Sequence, residues 1–267
     1  MDDRPWLAEW RAAAIPAVAL VVAVQLVIGI WAVTARDARP TVAVATEAPV
    51  VGLRTGEPAS AEARLPSGSL AGLSAPEAAQ VTGVVFDGQS LVNYPYEGGS
   101  TAQQTAALLA PMASAAVALD GTSYAERWVS FESRLAPVLR PGGWVLVDVS
   151  GQSDLLDGLT ARALYDEMLA YHRRALEAGA VATVVSTVPA VGPDWPGWTP
   201  AVEAERLALN EMLRGSTDFA AVADLAALPE ASDGRDPRYY THQIHPTVEL
   251  AQHFARVLAA AVRAATA

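Results

Sequence analysis

The chain has 267 residues, of which 52% are hydrophobic and 18% are charged. This composition excludes disorder along the whole length, because disordered chains combine low hydrophobicity with high charge. The lack of cysteine excludes disulfides, thiolate metal ligands and cysteine nucleophiles. The net charge of −11 repels a phosphate backbone, so we expect no nucleic-acid partner. All 18 basic residues are arginine, which excludes a lysine-dependent phosphate loop or Schiff base.

An uncharged and strongly apolar stretch, residues 12–35, lies near the start of the chain. A helix of about 20 apolar residues spans a bilayer. Trp6 and Trp10 precede this stretch and Trp31 lies near its far end, as in an interfacial aromatic belt. The stretch therefore predicts a transmembrane helix that acts as a signal anchor. Its short leading segment, residues 1–11, is expected in the cytoplasm and the long remainder outside. A cleaved signal peptide is the alternative, because the small residues 33–35 resemble a cleavage site.

Residues 36–80 are rich in alanine, proline, glycine, serine and glutamate, and they include five prolines. No period of 2 or 3.6 persists through them, so we expect a linker that separates a folded domain from the membrane. The alternative is that residues 41–53 form an edge strand.

From residue 81 onward, short apolar runs alternate with helical patterns. The runs predict strands at 81–86, 115–119, 144–149, 181–188 and 219–225. The helical patterns cover 100–112, 124–139, 157–178, 200–214 and 247–265. Strands that are apolar throughout and alternate with helices are typical of a parallel sheet covered on both faces. We therefore expect residues 81–267 to form a three-layer α/β/α domain with a five-stranded, mainly parallel, flavodoxin-like sheet.

Polar and small residues follow the predicted strands. In open parallel sheets, ligands bind beyond the carboxyl ends of the strands, so these segments are the ones expected to carry chemistry. They are Asp87-Gly88-Gln89-Ser90-Leu91, Asp120-Gly121-Thr122-Ser123 and Ser150-Gly151-Gln152-Ser153-Asp154, together with His242-Gln243-Ile244-His245-Pro246 before the last helix.

These four segments resemble the conserved blocks of the SGNH/GDSL hydrolases, and the resemblance covers residues 81–267. It implies that Ser90 is the nucleophile, since Gly88-Gln89-Ser90-Leu91 matches the GDSL block. It also implies that His245, in the block before the final helix, is the general base.

The same resemblance implies an oxyanion hole. Gly121 stands where the family has a glycine whose backbone N–H binds the oxyanion, and Ser153 stands where the family has an asparagine. Each of these residues also has a purely structural interpretation. Ser90 and Ser153 suit helix or turn caps, Gly121 suits a turn, and His245 suits a packed loop.

Three positions depart from the family pattern. Gln89 replaces an aspartate, and we expect little effect on the chemistry. Ser153 replaces the asparagine, and its hydroxyl reaches less far. His242 stands where the family has the aspartate that orients the base, and three interpretations stay open. In the first, His242 lies at the surface and a backbone carbonyl holds a base that has no acid partner. In the second, His242 itself hydrogen-bonds His245. In the third, Asp233 or Asp236 supplies the carboxylate.

The residues alone also favour a serine–histidine pair. A serine hydroxyl needs a base at neutral pH, and with no cysteine or lysine that base is a histidine or a carboxylate. Of the four histidines, His172 and His253 lie within predicted helices, and we expect a surface position for His172 and a solvated or packing role for His253. A rival nucleophile is Ser153 in a Gly-x-Ser turn, but the nucleophile elbow needs a glycine where this chain has Leu155.

The segment 193–198 contains two tryptophans, Trp195 and Trp198. It suits either a sugar-stacking surface or a rigid, packed lid.

The sequence thus predicts a membrane-anchored, extracytoplasmic serine esterase that removes O-acyl groups, such as acetyl, from a glycan or another small ester. We expect neither a metal nor an organic cofactor. The alternatives are acyl transfer by the same residues, or a catalytically degenerate domain that binds a glycan or a partner at the cell surface. The oligomeric state is left open.

Overall fold

The computed structural model describes residues 81–96 and 99–267. Its main sheet has five strands: β1 (Gly83–Gly88), β2 (Ala113–Ala116), β3 (Trp144–Val149), β4 (Ala180–Ser186) and β5 (Ala221–Ala223). All neighbouring strands are parallel, and their order across the sheet is β2-β1-β3-β4-β5. This order is that of a doubly wound, flavodoxin-like sheet. The three central strands are almost wholly buried, which explains why their sequences do not alternate between apolar and polar residues.

Eight α-helices lie within the same residues: α1 (Ser90–Asn93), α2 (Thr101–Leu109), α3 (Tyr124–Arg134), α4 (Ala136–Leu139), α5 (Gln152–Leu156), α6 (Ala161–Glu177), α7 (Pro200–Arg214) and α8 (Val248–Ala265). Two 3-10 turns, Leu225–Ala227 and Pro229–Ala231, follow β5. A small antiparallel ladder of β6 (Tyr240–Thr241) and β7 (His245–Pro246) precedes α8. Serine or threonine side chains cap the first turn of the five longest helices, as they commonly do.

The helices cover the sheet in two layers. On one face α3, α4, α6 and α7 bury side chains such as Phe131, Leu164 and Leu209. On the other face α2 packs against α8, which buries Leu250 and Phe254. The prediction of a three-layer α/β/α domain with a five-stranded parallel sheet is therefore confirmed.

The predicted strands and helices occur in the predicted order, with shifts that have local causes. The helix predicted over 124–139 is interrupted at Leu135, because Pro137 has no N–H to continue the helical hydrogen bonds. The helix predicted from 157 begins at Ala161, after a cap by Thr160. It ends before Gly179, where φ is +113° and an added Cβ would lie 2.6 Å from the Leu139 carbonyl oxygen.

The predicted transmembrane helix at 12–35 and the predicted linker at 36–80 lie outside the described residues. Within residues 81–96 and 99–267, no helix has both the length and the apolar character needed to cross a bilayer.

A buried ion cluster lies between the sheet and helices α3 and α6. Asp87 on β1 and Asp148 on β3 are adjacent and fully buried, and Arg127 Nη1 lies 3.1 Å from Asp148 Oδ1 and 3.7 Å from Asp87 Oδ2. Burial raises the pKa of Asp148, but the Arg127 charge and a hydrogen bond with His172 bring it well below its usual range. His172 is buried, with Nε2 3.3 Å from Asp148 Oδ2. The expectation that His172 lies at the surface was wrong, because an acid on a buried strand gives this histidine an interior partner.

The strand order reverses at β1, which has β2 on one side and β3 on the other. The loops after these three strands therefore open into one crevice at the carboxyl edge of the sheet. That crevice holds the candidate site.

Candidate active site

Ser90 and His245 come together at this edge of the sheet. Ser90 is the first residue of α1, directly after the turn that ends β1, and His245 lies in β7. The His245 Nε2 atom is 3.0 Å from Ser90 Oγ. Gly88 permits the sharp turn, since its φ is +128° and an added Cβ would lie 2.2 Å from the Val149 carbonyl oxygen. The pair has the geometry of a hydroxyl nucleophile and its general base.

Both residues line a cavity of about 440 Å³. Its walls include the apolar and aromatic side chains of Leu91, Tyr96, Leu156, Trp195 and Ile244. A cavity of this size can enclose a small ester.

The two predicted oxyanion donors, Gly121 and Ser153, line the same cavity as Ser90, whose own backbone N–H is a further candidate donor. The backbone N–H groups of Ser90 and Gly121 donate no hydrogen bond to any atom of the described residues. Gly121 has φ +67°, a left-handed backbone conformation that glycine adopts most readily. No atom lies within 4 Å of the position that a Cβ would take. Unpaired N–H groups beside a nucleophile can bind the negative charge that develops on an attacked carbonyl oxygen.

Gln89 connects the three loops that carry these donors. Its Nε2 donates to the Thr122 carbonyl oxygen at 2.7 Å and to Asp154 Oδ2 at 3.1 Å, and its Oε1 accepts from the Ser153 N–H at 3.4 Å. Asp154 also accepts from the Tyr124 N–H at 2.7 Å. We call these contacts the Gln89 bridge. The expectation that Gln89 matters little to the chemistry overlooked this role, which becomes visible once the three loops are adjacent.

Asp154 is fully buried within the Gln89 bridge. Burial raises its pKa to about 6, although the hydrogen bond from the Tyr124 N–H opposes this rise. The carboxyl group thus binds its proton more tightly in the folded protein than in an exposed chain.

Within the described residues, His245 has a hydrogen-bond partner on Nε2 and none on Nδ1. Its Nδ1 is buried, and no atom of residues 81–96 or 99–267 forms a hydrogen bond with it. Burial, followed by the nearby His242, lowers the pKa of His245, while Asp120 opposes the change. The imidazole is therefore neutral, as a base must be, at a lower pH than an ordinary histidine.

The residues expected near this Nδ1 lie elsewhere. His242 is exposed, with φ +54°, and its ring centre is 6.2 Å from that of His245 without a hydrogen bond. Asp233 and Asp236 accept hydrogen bonds from Arg235 and Arg238 instead. Within the described part of the chain, the arrangement is a serine–histidine pair with no orienting acid.

Ser153 does not have the contacts of a nucleophile. Of these two serines, only Ser90 has a hydrogen bond to a histidine ring among the described residues. The geometry therefore favours Ser90 over the rival nucleophile-elbow interpretation.

The two tryptophans of the 193–198 segment have different environments. Trp195 is half-buried, lines the cavity and lies 6.2 Å from the His245 ring at 87°. Trp198 is buried and donates from Nε1 to Glu203 at 3.1 Å. The position of Trp195 allows contact with a ligand, whereas Trp198 packs the segment against α7.

His253, which the sequence places in the last helix, lies outside the cavity. Its Nδ1 is 3.3 Å from Glu230 Oε1.

No group of three or more histidine, aspartate or glutamate side chains in the described ranges is arranged to hold a metal ion.

No protein-family model matches the sequence, and no curated protein matches it. Among solved structures, the chain is similar to a member of the lipolytic G-D-S-L family from Veillonella parvula, with 16% identity, a TM-score of 0.51 and coverage of 67% of this chain and 95% of that one. It is also similar to LAE5, an alpha/beta hydrolase enzyme from the metagenome of Lake Arreo, with 14% identity, a TM-score of 0.51 and coverage of 70% and 96%. A mutant of Axe2, an acetyl-xylooligosaccharide esterase from Geobacillus, has 11% identity, a TM-score of 0.50 and coverage of 69% and 95%. The resemblance to the SGNH/GDSL hydrolases is thus confirmed at the level of the fold.

Proposed function

We propose that residues 81–267 form a serine esterase that removes an O-acyl group from a small ester. The observation that carries this proposal is the distance of 3.0 Å between His245 Nε2 and Ser90 Oγ, in a cavity also lined by Gly121 and Ser153. The pair supplies the nucleophile and base, and the neighbouring donors supply the oxyanion hole. The fold shared with G-D-S-L hydrolases agrees with this chemistry.

Acylation begins when Ser90 Oγ attacks the ester carbonyl carbon and its proton passes to His245 Nε2. The carbonyl π electrons move to oxygen, and the N–H groups of Ser90 and Gly121 with the Ser153 hydroxyl bind the resulting oxyanion. The intermediate collapses, the bond to the alcohol breaks, and His245 returns the proton to the leaving oxygen. Each donor to the oxyanion contributes about 2.7–4 kcal/mol in related sites.

Deacylation repeats these steps with water. Water loses a proton to His245 Nε2 as its oxygen attacks the acyl carbon, and the bond to Ser90 Oγ breaks as the proton returns to it. A sugar hydroxyl in place of water would give acyl transfer by the same atoms. The proposal is hydrolysis, and product analysis with and without added sugar distinguishes the two outcomes.

An acetylated glycan is the substrate class that we propose. Trp195 lies on the cavity wall beside His245, and aromatic side chains at such a position stack on sugar rings. A structural neighbour of this chain acts on acetyl-xylooligosaccharides, which is in keeping with this class.

We also propose that the domain is anchored to the membrane through residues 12–35 and lies outside the cytoplasm. The support is the uncharged apolar stretch in the sequence. Membranes from cells that express the full chain should retain it after a high-salt wash and release it with detergent. Recovery of a soluble form that begins near Arg36 would show cleavage instead.

A fluorophosphonate probe together with p-nitrophenyl acetate hydrolysis tests the esterase proposal. We expect the wild-type chain to be labelled and active, and Ser90→Ala and His245→Gln to lose both properties. The control is Ser133→Ala, because Ser133 is an exposed serine on α3 that binds the Ser130 carbonyl oxygen outside the cavity. Wild-type activity that survives Ser90→Ala would refute the assignment.

A degenerate, glycan-binding domain is the second candidate. It is favoured by the lack of a hydrogen-bond partner for His245 Nδ1 among the described residues. In that case the wild-type chain would resist the probe and hydrolyse no ester. Glycan binding, measured by calorimetry with an acetylated xylooligosaccharide, would persist in Ser90→Ala.

A further inference from the structure

The ring of Tyr94 lies against the ring of His245. The two ring centres are 4.5 Å apart and the planes differ by 22°, which is a stacked arrangement. Tyr94 follows α1, and its N–H donates to the Ser90 carbonyl oxygen at 2.7 Å. The residue that stacks on the base is therefore fixed to the helix that begins with the nucleophile.

A second tyrosine supports this position. Tyr96 contacts Tyr94 edge to face, with ring centres 4.8 Å apart, and its hydroxyl donates to Asp120 Oδ2 at 2.7 Å. Asp120 also accepts from Asn93 Nδ2 at 3.1 Å. This set of contacts limits the movement of Tyr94 away from His245.

An orienting carboxylate normally does three things for a catalytic histidine. It fixes the ring plane, it selects the tautomer with the proton on Nδ1, and it stabilises the imidazolium formed in the transition state. No carboxylate of the described residues contacts His245 Nδ1. The site therefore needs another source for at least the first and third effects.

We propose that Tyr94 is a positioning residue whose ring face fixes the plane of the His245 imidazole and stabilises its protonated form. This inference rests on the proposed esterase function. A flat ring in contact with the imidazole resists its rotation, and the negative face of an aromatic ring attracts a cation within about 6 Å. The hydroxyl group has no part in either effect. The ring cannot select the tautomer, because it offers no acceptor to Nδ1.

Other groups near His245 do not provide the same contact. Trp195 lies farther away and nearly perpendicular, with ring centres 6.2 Å apart. His242 is also perpendicular at 6.2 Å, and it disfavours the protonated form. Asp120 favours the protonated form, but it is exposed and bound to Tyr96.

The test compares Tyr94→Phe, which keeps the ring, with Tyr94→Leu, which removes it. We expect Tyr94→Phe to keep kcat within about twofold of the wild type. Tyr94→Leu should lower kcat about 5–30-fold with little change in KM, because the lost cation–π contact acts on the imidazolium. The kinetic midpoint of the His245 titration should also fall in Tyr94→Leu. A purely structural role would not move this midpoint selectively.

Tyr239→Leu is the matched control. Tyr239 also lies beside a histidine, His253, at 6.3 Å, and it is outside the cavity. Its removal should leave kcat and the midpoint unchanged. If Tyr94→Leu does not fold, as judged by thermal unfolding, Tyr94→Met provides a longer unbranched side chain with no ring and carries the same expectation.

A measurement without turnover separates this proposal from the esterase proposal. We expect the imidazole of His245, titrated by NMR in the Ser90→Ala background, to lose its proton at lower pH when Tyr94→Leu is added. An unchanged titration, or a loss of kcat in Tyr94→Phe equal to that in Tyr94→Leu, would overturn the role of the ring. A titration shift between these two variants, together with a wild-type protein that hydrolyses no ester, would contradict the esterase proposal alone.

Discussion

Replacing His242 by aspartate should supply the acceptor that His245 lacks. His242 is three residues before the base and has φ +54°, a left-handed conformation that aspartate adopts more readily than most residues. Its side chain is exposed and has no hydrogen bond among the described residues, so little is lost with it. The introduced carboxylate would accept the Nδ1–H and favour the tautomer in which Nε2 is free to accept the Ser90 proton.

The expected gain follows from the burial of Nδ1. Only a contact that is stronger in the transition state than in the free enzyme raises the rate, and the imidazolium formed in the transition state needs a partner for its Nδ1–H. Leaving a buried polar group without a partner costs about 1–3 kcal/mol, and each 1.36 kcal/mol corresponds to a factor of ten in rate. His242→Asp should therefore raise kcat/KM by about 5–150-fold. The pKa of His245 should rise as well, because a carboxylate replaces a histidine whose charge lowers it.

The assay is the pH dependence of p-nitrophenyl acetate hydrolysis, with rates compared on the plateau above pH 8. Two control variants separate the effect of the hydrogen bond from the effect of the charge. His242→Asn offers an uncharged acceptor and should give part of the rate gain with little change in the midpoint, and His242→Ala should be nearly neutral. A strong loss in both His242→Ala and His242→Asp would refute the reasoning, since it would mean that His242 already positions the base or binds substrate. No change in any variant would point to an acceptor beyond the described residues.

Three further predictions concern protonation and the oxyanion hole. Wild-type activity should rise with pH through a midpoint below about 6.5, because burial and His242 lower the pKa of His245 and only the neutral ring accepts a proton. A rate–pH profile that is flat from pH 5 to 8 would argue against His245 as the base. The pKa of Asp154 is about 6 in the folded protein against 3.8 for an exposed aspartate, so the contribution of this group to stability should fall by up to about 3 kcal/mol as pH rises from 3 to 7. Asp148, whose pKa is lowered, acts in the opposite direction in both proteins, so the measurement is the difference in urea unfolding free energy between the wild type and Asp154→Asn, which should change by this amount over the range. Ser153→Ala should lower kcat by about 10²–10³ if its hydroxyl binds the oxyanion. Ser153→Asn should retain or exceed wild-type kcat, whereas equal rates in all three proteins would exclude the hydroxyl as a donor.

The fold could be predicted from the sequence because local patterns and tertiary structure agree. Central strands such as β3 are apolar on both faces, and the helices between them are bounded by caps and glycine. The bounds of the edge strands were less predictable. Strand β2 pairs with a single neighbour and is mostly exposed. It begins at Ala113, before the apolar run 115–119, and the N–H groups of Val117 and Leu119 continue the hydrogen bonds to β1 beyond its end.

The positions of Ser90 and His245 could be predicted because each follows a recognisable segment at the same edge of the sheet. The Gln89 bridge could not, because it joins loops separated by 33 and 65 residues along the chain. The burial of His172 could not be predicted either, because its partner Asp148 lies 24 residues earlier in the chain, within a strand that is otherwise apolar. The stacking of Tyr94 on His245 joins two positions that are far apart along the chain, and no periodic sequence pattern relates them.

The oxyanion donors and the general base differ in how many contacts with the described residues hold them in place. The oxyanion side is held by the Gln89 bridge, whose contacts are independent of His245. In serine hydrolases, an oxyanion hole and substrate binding alone still give about 10³–10⁴-fold catalysis over water after a triad member is removed. His245 has a partner on Nε2 and a tyrosine ring against its face, and residues 81–96 and 99–267 offer no acceptor to its Nδ1. The rate of proton transfer at His245, rather than the shape of the cavity, thus decides between an active esterase and a binding domain, because both would bind the same acyl group in the same place.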